Sequence, residues 1–141
     1  MHAQTLPTTT PSSAGWSNVA VLVGRFIFVA MFAMALAMKL MDIRATAAYI
    51  GSAGFPAALV LAWLAALFEA ALVVCLATGG WFRPAALAAA VYVVFLGFAF
   101  HGPSKWAANQ MEFGFFVDHF TFLAGLLYAA AHGPGKLARR A

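Results

Sequence analysis

The sequence predicts an all-α integral membrane four-helix bundle, and three observations carry that prediction. Of its 141 residues, 65% are hydrophobic and only 9% charged, with a mean hydropathy of +0.90. A water-soluble domain carries about 25% charged residues, so this composition belongs to the membrane class. Four apolar stretches each approach the roughly 20 residues that cross a bilayer. Short segments rich in Gly, Pro and polar residues separate them.

Residues 1–18 hold Thr, Pro, Ser and Ala but no Lys, Arg, Asp or Glu, and are expected to form a disordered tail. The tail lacks the positive charge of a secretory leader, and Val19–Gly24 is already apolar before Arg25. The first hydrophobic run is therefore read as a retained span rather than a cleaved signal.

The first span is placed at 19–41. It carries Arg25 near one end and Lys39 near the other. Fourteen positions are close to four helical turns, so both cations share a face. Met31, Met34, Met38 and Met41 form a stripe on the opposite face, read as adaptable packing rather than as a copper site. Residues 42–56 are too short and polar to span. Ile43, Ala47, Tyr49 and Ile50 suit a brief amphipathic turn at the interface, and Gly54-Phe55-Pro56 ends it.

The second span, 57–78, holds Glu69 among small residues (Ala62, Ala65, Ala66, Ala70) that allow close helix approach. Gly79-Gly80 makes the turn, and Pro84 suits the first turn of the next helix. The third span, 84–101, is uncharged until His101. A polar loop with Lys105 and Trp106 leads to the fourth span, 112–131. There Glu112, Asp118 and His119 appear, and Gly114, Asp118, Thr121 and Gly125 share a narrow stripe. Residues 133–141 form a basic tail.

Four spans bring both termini to one side. Arg83, Lys136, Arg139 and Arg140 gather there, while Lys39, Arg44 and Lys105 share the other side with Asp42 and Glu112. The balance favours cytoplasmic termini. The net charge of +4 fits such basic flanks. No basic patch with interleaved aromatics marks a nucleic-acid surface. The single Cys75 excludes an intrachain disulfide and reads as an inert packed residue.

A cation or acid inside a span is costly unless paired, and often marks a site. Depths counted along each span restrict the pairings. Arg25 lies about 9 Å and Glu69 about 14 Å from the cytoplasmic ends of their spans, which predicts an Arg25–Glu69 ion pair holding the scaffold. Lys39 and Asp118 both fall near the outer side. They are expected to form a polar cluster there with His101 and His119. Histidine with a carboxylate can relay protons, hydrogen-bond a quinone carbonyl or hold a metal. No H-x-x-x-H or similar ligand spacing occurs, so no metal site is expected.

The ordered marks Gly24-Arg25, Phe32, Lys39, Ala48-Tyr49-Ile50, Gly54-Phe55-Pro56, Glu69, Gly79, Arg83-Pro84, His101, Gly125 and Gly133-Pro134-Gly135 resemble the DoxX family of small bacterial membrane proteins. The resemblance covers about 20–135. Family members often carry Lys-Asn where this chain has Asp118-His119, which reverses the local charge. The resemblance implies a four-span bundle in the bacterial inner membrane and an association with membrane redox systems, thiosulfate:quinone oxidoreductase among them.

The expected role is a membrane subunit or accessory protein of a quinone-linked redox system. Lys39, His101, Asp118 and His119 would serve as ligand or proton partners, with a redox subunit or further copies of the chain as protein partners. No pair of facing histidines for haem and no flavin or nicotinamide motif occurs, so electrons would come from a partner and the chain alone is not expected to be a complete enzyme. Two other readings stand beside this one: a small proton-coupled transporter and a structural membrane anchor.

Overall fold

The computed structural model describes residues 13–136. Five α-helices account for most of them: α1 (Ser13–Met41), α2 (Ile43–Ser52), α3 (Ala58–Thr78), α4 (Phe82–His101) and α5 (Gln110–His132), with a 3-10 turn at Pro103–Lys105. Four helices are long and apolar enough to cross a membrane: α1, α3, α4 and α5. The chain is thus an all-helical membrane bundle, in contact with the lipid bilayer.

Its packing is that of a protein in lipid. Alanines fill the interior (Ala62, Ala66, Ala86, Ala89 and Ala90 are buried), while Val60, Leu67, Val74 and Phe98 face outward. Small residues let backbones approach, and large apolar side chains on the outside meet acyl chains. Leu72, Leu76, Phe82, Val93 and Leu126 complete the main core, which Phe28 and Phe32 of α1 join. The helices pair off, α1 with α3 and α4 with α5. α2 lies on α3, and α1 touches α5 only sparsely.

Two differences from the sequence reading matter. α1 starts at Ser13, inside the stretch expected to be a tail, while residues 1–12 and 137–141 of the two expected tails lie outside the described residues. And α2 is a full helix of 10 residues rather than a brief turn. Asp42 explains it: its Oδ1 accepts the Ala45 N–H at 2.9 Å, a side-chain N-cap that starts a new helix one residue after α1 stops. Ile50 is then buried with Ala62 and Phe100, and Tyr49 stacks on Phe100 with ring centroids 5.0 Å apart. At the other end of the bundle, Gly79 takes φ 79° and donates its N–H to Cys75 O, closing α3.

Candidate functional site

The polar residues of the spans gather in three places. The first is the end of the bundle where α3 and α5 terminate. Arg25 is buried there, with 6% of its surface exposed. Its Nε donates to Leu76 O at 2.6 Å, one Nη to Ala77 O, and the other to Pro134 O at 3.3 Å. Leu76 and Ala77 lie in the last turn of α3, where carbonyls have no amide partner within the helix and carry the negative end of its dipole. The guanidinium therefore acts as a C-terminal cap. The expected Arg25–Glu69 ion pair is not formed.

Glu69 belongs to the second place, midway along the bundle. Only 1% of it is exposed. Its Oε1 lies 2.9 Å from Lys39 Nζ and accepts the Tyr92 hydroxyl at 2.9 Å. Its Oε2 is buried without a hydrogen-bond partner. Lys39 thus takes the acid that had been assigned to Arg25. The depth count failed because the spans do not start and stop in common planes. Glu69 stands eleven residues into α3, about 16 Å from its start, yet Lys39 stands two residues from the end of α1. The Lys39 stem reaches along the bundle to meet Glu69, and the opposite end of α1 runs on: twelve residues of α1, about 18 Å, precede Arg25.

The third place is where α4 meets α5. His101 Nδ1 donates to Glu112 Oε2 at 2.6 Å, and the indole of Trp106 donates to the His101 carbonyl at 2.8 Å. His119 Nδ1 donates to Phe115 O at 2.7 Å. Both bonds fix the tautomer and leave Nε2 free on each ring. The two rings lie 5.2 Å apart, centroid to centroid. Gly97 makes this proximity possible, since a Cβ there would lie 3.1 Å from His119 Cβ.

A cavity of about 1160 Å³ joins the second place to the third. Lys39 and Tyr92 line it at one level, His101 and His119 at another. Its walls are otherwise largely apolar, with Phe68, Val91, Phe95 and Phe100 among them. Tyr92 and His101 are nine residues apart on α4, so the two polar levels stand about 14 Å apart. Asp42, Thr46 and Tyr49 bring α2 to the cavity. A large apolar hollow with a few convergent polar groups is the usual form of a small-molecule site.

Of the four residues expected to cluster, the structure brings together His101 and His119, and puts Lys39 in the same cavity. Asp118 does not join them. It is exposed on α5, outside the cavity, and makes no ion pair or hydrogen bond among the described residues. Two residues that the sequence reading left out of the cluster belong to it. Tyr92 had a signal, being the only polar side chain between Pro84 and His101. Glu112 had one as well, since it and His101 flank a single short loop and so share a depth. Among the described residues no three His, Cys, Asp or Glu side chains come together to hold a metal ion.

The fold and its buried charges define a small four-span membrane protein with a large apolar hollow that opens between its helices. A model of the DoxX family matches residues 20–102, more than half of the chain, and the chain belongs to that family. The match takes in α2, α3 and α4 with most of α1, and ends one residue after His101, so α5 with Glu112, Asp118 and His119 lies beyond it. Neither a curated protein nor a solved structure matches.

Proposed function

We propose that this chain is a membrane subunit or accessory protein of a quinone-linked redox system in the bacterial inner membrane, and that its cavity receives the quinone. The cavity is the observation that carries the reading. Its apolar walls suit a lipophilic ring and tail, and its few polar groups offer donors for a ring carbonyl. Lys39 uses one N–H on Glu69 and has two more to offer. His101 and His119, each with a free Nε2, can exchange protons at the other level. A bound quinone would supply two-electron chemistry. The chain would supply orientation and protons. Glu69 keeps Oε2 without a partner while Lys39 and Tyr92 hold Oε1, so one buried acceptor is left for a donor on the ligand. Electrons would enter from a partner protein, and the basic ends of the chain favour cytoplasmic termini.

The test is direct binding. The purified protein in lipid nanodiscs is titrated with a short-chain ubiquinone or menaquinone analogue, followed by tryptophan fluorescence. Saturable quenching is expected for the wild type. Ala88→Trp, which fills the cavity, and His119→Gln should each weaken it at least about tenfold while the helical spectrum stays intact. Equal, non-saturating partition into wild type and both variants would leave the reading without support and favour a purely structural anchor.

A further inference from the structure

Among the described residues, Asp118 and Arg44 are the two charges in the half of the bundle nearest His101 that have neither an ion pair nor a hydrogen bond. There Lys39 holds Glu69, Lys105 donates to Phe100 O at 2.8 Å, Glu112 accepts from His101, and Asp42 caps α2. Arg44 is exposed on α2 and Asp118 is exposed on α5. Their levels agree. Asp118 lies six residues from Glu112, and so about 9 Å below the end of α4 that Glu112 contacts. Arg44 is bracketed between Tyr49, which stacks on Phe100 at that same end, and Lys39, which reaches Glu69 and Tyr92 about 14 Å lower.

The surface around Asp118 is shaped for a helix. Gly114 has no atom within 4 Å of where a Cβ would stand, and Thr121 is exposed on the same stripe. Farther along the stripe Phe28 of α1 covers Gly125, with its ring tip 2.8 Å from the Cβ position. α1 thus closes this face at one end and leaves it open beside Asp118. A carboxylate on an open helix face in lipid is costly unless a cation arrives from outside the chain.

We propose that this face binds a second copy of the chain, with Arg44 on α2 of one copy meeting Asp118 on α5 of the next. The two residues occupy different patches, so the contact is head-to-tail and repeats around a ring. The small residues at 114 and 121 let α2 approach the α5 backbone. The assembly is independent of what the cavity binds.

Charge exchange tests it in the full-length protein. Oligomer mass is read by native mass spectrometry after mild extraction and by cross-linking in native membranes. Wild type should be oligomeric. Asp118→Arg and Arg44→Asp should each raise the dissociation constant at least about tenfold, and the double exchange should restore it. Asp118→Glu should keep the oligomer, and helical spectra report that each variant folds. In a second measurement, Arg44→Cys and Asp118→Cys are placed on differently tagged chains that carry Cys75→Ser. Oxidation should join the two tags. A monomeric wild type, a double exchange that fails to restore, a bridge formed only within one chain, or a cross-link to a different membrane protein in place of a second copy would each overturn the proposal.

Discussion

Replacing Arg25 by methionine keeps an unbranched stem and removes the guanidinium. The side chain is buried and spends its donors on carbonyls at the ends of α3 and α5. Hydrogen bonds from charged groups contribute about 1.5–3 kcal/mol each, whereas neutral interhelical bonds in lipid average about 0.6 kcal/mol. The bonds to Leu76 and Ala77, taken at the low end of the charge-assisted range, set an expected loss of about 3 kcal/mol, more than a hundredfold in the ratio of folded to unfolded protein. The bond to Pro134, at 3.3 Å, adds little to this figure. Arg25→Lys keeps a positive charge at the negative end of the α3 dipole, worth about 1 kcal/mol, but loses the fork that serves adjacent carbonyls, so it should fall between the two. The assay is equilibrium unfolding in mixed micelles, titrated with SDS and read by far-ultraviolet circular dichroism. Stability of Arg25→Met within about 0.5 kcal/mol of wild type would refute the reasoning. Those carbonyls would then be satisfied by water at the membrane edge.

Two other predictions use the same preparation. Lys39→Met strands the carboxylate of Glu69 in the bundle interior and should cost about 3–5 kcal/mol, with most of that recovered when Glu69→Gln is added; a Glu69→Gln single variant less stable than Lys39→Met would contradict the pairing. Burial, with the negative charge of Glu112 adding to it, raises the Tyr49 phenol above 10.0, so the folded state keeps this proton where the unfolded chain releases it. Stability should therefore fall as pH rises through 10, and Tyr49→Phe should remove that part of the loss. The phenolate absorbance of a variant carrying Tyr92→Phe and Tyr128→Phe gives the midpoint directly, and an ordinary midpoint would place the Tyr49 hydroxyl in water, away from the packed surface and from Glu112.

The spans were legible because hydropathy and length alone decide which segments leave water. The boundaries of α3, α4 and α5 came within two residues, since Gly79, His101 and Gly133 punctuate the chain where backbone hydrogen bonding must end. α2 was harder. Whether Asp42 caps a new helix or sits in a loop depends on the φ and ψ of one residue, and the sequence reading allowed only a short turn there. His101 and His119 were assigned to one cluster, and α4 and α5 bring their rings together. The reason is topological: a short loop joins these two helices, so counting inward from it keeps depth correctly on both sides.

Arg25, Lys39 and Glu69 show where that counting stops working. α1 and α3 are joined through α2, which packs on α3, so the two spans share no short loop that would fix their relative offset. Depth counted from Cα positions and a common membrane plane ignores both that offset and the reach of the side chains: Arg25 and Lys39 stand about 21 Å apart on α1, yet their contacts on α3 stand only about 11 Å apart. Asp118 fails for a different reason. Its helical stripe was visible, but a stripe states only which residues point the same way, and the sparse contact between α1 and α5 covers Gly125 and leaves the stripe open beside Asp118.

The sequence by itself determined the number of spans, the scarcity of charge inside them, and therefore that each buried charge must find a partner, because hydrocarbon provides none. Only the tertiary structure decided which partner each one took. That choice depends on helix offsets along the bundle axis, which are set by side-chain packing between helices far apart in the chain. Those offsets turned Arg25 into the cap of α3, Lys39 into the partner of Glu69, and the space between them and the histidines into a cavity.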